Sequence, residues 1–71
     1  MIIDWAQLCL NLRKYSGMPL REWSLKLGLE HGHLGRLSRN EAAEPRFSLA
    51  MQLLDLHLDI CGEDVHKRLI R

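Results

Sequence analysis

The sequence predicts an all-α protein, a compact bundle of four to five short helices in a single domain over residues 1–71. Three observations predict it. Apolar residues recur three and four positions apart along most of the chain, which is the period of an amphipathic helix. No segment alternates apolar and polar residues in the way of a half-buried strand. With 71 residues and 46% apolar side chains, the chain can build one compact core.

Size and composition argue against several classes of protein. No apolar run approaches the roughly 18 residues of a membrane span, and the first residues lack the basic region of a signal peptide. We therefore expect a cytoplasmic protein with no membrane partner. Cys9 and Cys61 each lie in an apolar helical pattern and are expected to be reduced and buried. No nucleophile–base set, phosphate loop or metal-ligand spacing is present, so we expect no enzyme activity, no cofactor, no metal and no small-molecule ligand.

The first helix is predicted to begin after Asp4, whose carboxylate can cap it, and to run to about Tyr15. Gly17 then ends it. Four apolar residues, with Cys9 beside them, form its predicted buried stripe: Trp5, Leu8, Leu12 and Tyr15.

The second helix is predicted to follow Pro19, a residue suited to a first helical turn, and to run to Leu27. It directs Trp23 and Leu27 inward. Gly28 ends it with the positive φ that is common just after a helix.

The third helix is predicted to span about His31 to Arg39 and to bury Leu34 and Leu37. Asn40 follows at a position where glycine or asparagine often ends a helix in the left-handed conformation. Two short helices joined by a tight turn are the plan of a helix-turn-helix, in which the second helix packs one face inward and can place the other in a DNA major groove.

The fourth helix is predicted to open near Ser48 and to run to about Leu58, and it carries two apolar stripes. At 100° per residue one stripe contains Phe47, Ala50, Met51, Leu54 and Leu58, and the other contains Leu49, Leu53, Leu56 and Ile60. A surface helix of a monomer needs only one such stripe. After Gly62, a short fifth helix opens on Glu63 and Asp64.

Two interpretations of the second stripe remain open. Either the terminal helix covers it within the chain, or it forms the interface of a homodimer. The predicted interface contains five apolar residues: Leu53, Leu56, Ile60, Val65 and Leu69. His57 and His66 are expected at the surface or in that interface.

The segment from residue 20 to residue 40 resembles the helix-turn-helix of the lambda-repressor/Cro-like, or XRE-type, DNA-binding family. Gly28 matches the glycine of the family's turn, and Ser24 matches a small residue four positions earlier. Five spaced apolar positions match too: Trp23, Leu27, Leu29, Leu34 and Leu37. Arg13 before Gly17, and Pro45 before the fourth helix, extend the resemblance over about residues 5–60. The resemblance implies a lambda-repressor-like DNA-binding domain.

The chain departs from the family's pattern at several positions, which leaves the subfamily open. Ser38 stands where a glutamate often pairs with the first-helix arginine, so Glu41 is a candidate partner of Arg13. The other departures are Asn40 in place of a glycine, and Leu20 and Leu25 in place of polar residues.

By position, the resemblance implies that five residues read base edges: His31, Gly32, His33, Gly35 and Arg36. An arginine can donate two parallel hydrogen bonds to guanine O6 and N7, so Arg36 is the main candidate for specificity. A glycine inside a helix costs about 1 kcal/mol relative to alanine. Either the backbone lies close to DNA at the two glycines, or Gly32 merely starts the helix late and Gly35 allows close helix packing. Residues two apart on a helix point about 200° apart, so the two histidines cannot share a metal ion.

Phosphate contacts are expected around the same helix. The candidates are Arg21, Lys26, Arg39, Asn40 and Arg46. The formal net charge is only +1, but residues 31–40 hold two arginines, two histidines and no acid. Charge is therefore polarised along a nearly neutral chain.

Together these residues predict a sequence-specific DNA-binding transcriptional regulator, a phage or prophage Cro-like repressor. It would bind an inverted-repeat operator in double-stranded DNA as a homodimer. An antitoxin or a restriction–modification controller of the same fold is the alternative within this class. A helical protein-interaction module without DNA binding is the alternative from another class, favoured by the low net charge and by Leu20 and Leu25.

Overall fold

In a computed structural model that describes residues 2–70, five α-helices surround one apolar core. The helices are α1 (Trp5–Ser16), α2 (Leu20–Lys26), α3 (His33–Ser38), α4 (Phe47–Cys61) and α5 (Glu63–Lys67). The described residues contain no strand, and a single isolated antiparallel bridge among them joins Ile3 to Ile70. The predicted all-α bundle of short helices is confirmed.

Helix α1 packs against α2, α3 and α4 and so forms the centre of the bundle. Asp4 caps it as predicted, because its Oδ1 accepts a hydrogen bond from the backbone N–H of Gln7 at 3.1 Å. Gly17 ends it at φ 74°. Three residues of its predicted stripe are fully buried: Leu8, Cys9 and Leu12. The prediction for Tyr15 is wrong, since this residue lies one position from the helix end and stays 47% exposed.

Helix α3 packs against both α1 and α2, with Leu34 and Leu37 buried as predicted. Gly28 has φ 77° and Asn40 has φ 59°, which confirms both predicted left-handed positions. The helix begins at His33, two residues later than predicted, because Gly32 is its N-cap and residues 31–32 form a turn.

Helix α4 begins at Phe47 with Arg46 as its N-cap, so Ser48 lies inside the first turn and does not cap the helix. The helix also runs three residues past its predicted end, to Cys61. Its second stripe faces the core, where Leu53 is fully buried. In its first stripe Leu54 also packs against the core, whereas Phe47 is 82% exposed.

The burial of Leu53 and Leu69 in a single chain corrects the predicted homodimer interface. Helix α5 packs on α4, and the Leu69 carbonyl accepts a hydrogen bond from the backbone N–H of Asp4 at 3.0 Å. These contacts fold the C-terminal residues back onto the core. Leu56 and Ile60 pack against the same core, and the other predicted interface residue, Val65, is half-buried. Leu53 and Leu69 are therefore enclosed within one chain, where α1 and α5 both pack on α4.

His57 is fully buried, which corrects its predicted place at the surface. Gln7 Nε2 donates to Asn11 Oδ1 at 2.8 Å, and Asn11 Nδ2 lies 3.0 Å from His57 Nε2. Because the Asn11 oxygen already accepts from Gln7, its amide nitrogen donates to His57 Nε2, and the proton of His57 is on Nδ1. That proton is donated to His66 Nδ1 at 3.1 Å. A polar chain thus joins α1, α4 and α5.

Burial sets the properties of the two thiols as well. Cys9 is buried as predicted, and burial raises its pKa to about 12, so the thiol is inert at neutral pH. Cys61 is half-buried, and both cysteines are free. Within residues 2–70, no helix combines the length and the apolar character needed to cross a membrane.

Candidate nucleic-acid interface

A buried hydroxyl, Ser24, holds α2 and α3 together. Its Oγ donates to the Leu20 carbonyl at 2.9 Å and accepts from the backbone N–H of Leu34 at 3.1 Å. Leu34 is the second residue of α3, and the first N–H groups of a helix have no partner inside it. Ser24 therefore caps α3 from α2. The sequence indicated only a small residue here, since the partner of the hydroxyl lies in the next helix.

The outer surface of α3 and of its two cap residues, opposite Leu34, is called here the arginine face. It consists of Gly35 and Arg36 in the helix, the N-cap Gly32 and the C-cap Arg39. Arg36 Nη1 lies 3.2 Å from the position that a Cβ on Gly32 would occupy, and Arg39 Nη1 lies 3.5 Å from the equivalent position on Gly35. Both arginine side chains therefore fold back over the glycines, toward the N-terminus of the helix.

Each arginine of this face is paired with a glutamate outside α3. Arg36 Nη2 donates to Glu30 Oε2 at 2.9 Å, and Arg39 Nε donates to Glu41 Oε2 at 3.0 Å. Glu41 is thus a partner of Arg39 in place of its expected partner, Arg13. The acids lie just outside the basic segment, so a charge count over residues 31–40 alone missed them.

The two pairs cancel the charge polarisation that the sequence indicated. Residues 30–46 hold three arginines and three glutamates. The Arg36 and Glu30 side chains are 42% and 74% exposed, and those of Arg39 and Glu41 are 59% and 56% exposed. Exposed pairs of this kind contribute about 0–1 kcal/mol, so a competing anion can open them at low cost.

Two of the predicted contact residues lie apart from the arginine face. An open groove of about 640 Å³ lies between α2 and α4, and Lys26 lines it together with Asp55 and Asp59. The Lys26 ammonium also lies 5.5 Å from the ring centroid of Trp23. A neighbouring groove of about 540 Å³ is lined by the half-buried His33.

The other predicted contact residues are accessible. His31 lies in the turn before α3, Arg21 lies in the first turn of α2, and both are exposed. Asn40 and Arg46 follow α3 and are exposed too. The structure therefore groups Gly32, Gly35, Arg36 and Arg39 on one face, with Arg21, His31, Asn40 and Arg46 exposed on the adjoining segments.

The substitution Gly35→Ala separates the two interpretations of this glycine. A Cβ at this position meets Arg39 Nη1 at an ordinary contact distance of 3.5 Å, and alanine is favoured over glycine inside a helix. We expect the free energy of unfolding to rise by about 0.5–1 kcal/mol, measured by urea denaturation. If the backbone here lies against DNA, the same variant binds DNA less tightly than the wild type does. A destabilised variant would contradict the ordinary contact between a Cβ at this position and Arg39, and an unchanged DNA affinity would contradict the close approach.

A scan against models of protein families gave no match for this chain, and searches of curated proteins and of solved structures gave no significant match.

Proposed function

We propose that the protein is a sequence-specific DNA-binding transcriptional regulator, a Cro-like repressor of the lambda-repressor/XRE type that binds an inverted-repeat operator as a homodimer. One observation carries the proposal: α2 and α3 form a unit joined by Ser24, and the exposed side of α3 is made of glycines and arginines. Glycines let a backbone approach DNA closely. Arginines beside them can reach base edges in the major groove.

In this proposal Arg36 exchanges Glu30 for a guanine. A bidentate arginine–guanine contact provides about 1–3 kcal/mol of discrimination, which exceeds the contribution of an exposed ion pair. Arg39 exchanges Glu41 for a phosphate in the same way, and the exposed Arg21, Asn40 and Arg46 supply further phosphate contacts.

The glutamates also limit binding to arbitrary DNA. Affinity for any duplex rests on neutralising phosphates with basic side chains. On this surface three glutamates, Glu30, Glu41 and Glu44, balance three arginines, so the surface gives little affinity for arbitrary DNA. Binding then depends on the contacts that only the operator provides.

The same charge balance favours a second candidate function, a helical protein-interaction module. Its support is the set of exposed apolar side chains, which includes Phe47 at 82% and Leu25 at 57% exposure. Such a module would bind a partner through apolar contacts and would show no steep dependence on salt.

Binding to duplex DNA, titrated over about 50–200 mM salt, tests the proposed function. A site is first selected from random duplexes. We expect its affinity to fall linearly with salt on logarithmic axes. Arg46→Ala is expected to weaken binding to all duplexes and to lower the slope by about one unit, whereas Arg36→Ala costs about 1–3 kcal/mol and relaxes the preference at one base position.

Arg68→Ala is the matched control, because Arg68 is an exposed arginine beyond α5. It is expected to leave both slope and preference unchanged. Failure to enrich any duplex, or binding that ignores salt, would contradict the proposed function and favour the interaction module. A preference unchanged by Arg36→Ala would contradict the role given to that residue.

A further inference from the structure

The exposed stripe of α4 has the spacing of a coiled-coil seam. Its five residues are Phe47, Met51, Leu54, Leu58 and Cys61. Their separations alternate between four and three positions, as the a and d positions of a heptad do. Phe47 is 82% exposed, Met51 and Leu58 are 43% exposed each, and Leu54 and Cys61 are half-buried. Leu54 also packs against the core of its own chain, whereas Phe47, Met51 and Leu58 remain exposed for contact with another helix.

We propose that this stripe is the homodimer interface, where α4 packs side by side and parallel against α4 of a second copy. The proposal rests on the proposed function, which requires a homodimer, and it names the surface that forms it. It replaces the interface predicted around Leu53 and Leu69, which are already buried within one chain.

Charge around the stripe is compatible with a second copy packed in the parallel orientation. In a parallel pair, each seam residue packs against the same residue of the second copy. All five seam residues are uncharged, so this packing brings no like charges together. Asp55 is the charged residue that flanks the seam. A parallel pair places it beside the partner's Ala50, as positions e and g of a heptad meet.

The parallel orientation also suits a symmetric DNA site. Residues 39–46 lead from α3 into the N-terminus of α4, so a parallel pair brings both of these loops to one end of the dimer. The chain measures 28 × 24 × 21 Å. A symmetric DNA site requires the two α3 helices of the dimer to lie about 34 Å apart, which is the distance between successive major grooves.

The size of the stripe predicts a weak dimer. A stable interface buries about 800 Å² on each partner, whereas Phe47, Met51 and Leu58 together expose about 300 Å² of side chain. We expect a dissociation constant of about 10 μM or weaker. Two half-sites on one operator would reinforce this association, because the second copy then binds at a high effective concentration.

Sedimentation equilibrium without DNA tests the interface. The wild-type mass is expected to rise with concentration between those of one and two chains. Met51→Glu puts a charge in the middle of the seam and is expected to raise the dissociation constant at least about tenfold. Gln52→Glu is the matched control, since it adds the same charge at the next residue, which is exposed on the polar edge of α4. It is expected to change the constant by less than about twofold.

The orientation is tested in a Cys61→Ser background with Phe47→Cys. Mild oxidation by copper phenanthroline should link the two chains through residue 47, because a parallel pair brings the two copies of this residue together. Cys9 does not interfere, since it is buried with a raised thiol pKa. Circular dichroism checks that each variant keeps its helices.

A wild-type chain that stays monomeric at about 1 mM, or a Met51→Glu variant that dimerises as the wild type does, overturns the proposal. Absence of the residue-47 link in dimeric protein overturns the parallel arrangement. Because association is measured without DNA, a chain that dimerises through α4 but selects no duplex contradicts the proposed function and leaves the interface standing.

Discussion

Replacing Ser24 with alanine is expected to lower the free energy of unfolding by about 1–3 kcal/mol. The substitution removes the acceptor of the Leu34 N–H, a buried donor at the start of α3 with no other partner. A domain of this size has a total stability of about 5 kcal/mol, so the loss is a large fraction of it. Urea denaturation followed by circular dichroism measures the change.

Ser38→Ala is the matched control for this substitution. The Ser38 hydroxyl donates only to the Gly35 carbonyl of its own helix, at 2.6 Å, so its removal leaves no buried N–H without a partner. We expect a loss below about 0.5 kcal/mol for Ser38→Ala. Equal losses in the two variants would show that Ser24 contributes nothing across the α2–α3 contact.

Acidification from about pH 7.5 to about pH 5.5 is expected to destabilise the fold through His57. Burial, and secondly the neighbouring His66 ring, lower the pKa of His57 in the folded chain. The ordinary value of 6.5 applies in the unfolded chain, so below it the unfolded chain binds the proton that the folded chain excludes. The contribution of neutral His57 to the free energy of unfolding is fully present above pH 6.5. It is lost as the pH falls from there through the pKa of His57 in the folded chain.

The hydrogen bonds of His57 explain where protonation lowers the stability of the fold. From α1 the histidine faces the amide of Asn11, which carries no charge, and from α5 it faces His66. A protonated His57 has no lone pair to accept from Asn11. Protonation therefore breaks the hydrogen bond that joins α4 to α1, whereas His57 Nδ1 still donates to His66 on α5.

Urea denaturation at the two pH values, with NMR titration of each histidine ring, checks the expectation. His31→Gln is the control, because His31 is exposed in the turn before α3, and its loss should leave the pH profile unchanged. Equal stability at both pH values, or a His57 pKa at or above 6.5, would contradict it.

The elements of the fold were predicted with small errors because their signals are local. The Asp4 cap and the left-handed Gly28 and Asn40 follow from residues a few positions apart. The helix boundaries moved by up to three residues, as at Cys61, since the last turn of a helix depends on what packs beside it.

The candidate site was predicted less completely. The sequence pointed to Arg36 and Arg39, which the structure places together beside Gly32 and Gly35. It missed that Glu30 pairs with Arg36 and that Glu41 pairs with Arg39, because an exposed ion pair has no sequence signature beyond the presence of opposite charges nearby. The base contact of His33 stays a prediction, and the structure places its ring in a groove at the start of α3.

The sequence alone predicted the helical class, the caps and the two apolar stripes on α4. These features depend on residues that lie within one or two helical turns of each other. Which stripe faces inward could not be predicted from the sequence. That choice depends on α1 and on the returning Leu69. His57 shows the same dependence, because its burial requires Asn11, 46 residues away in sequence. Contacts over such separations follow from the joint packing of all five helices, and so only the folded chain shows them.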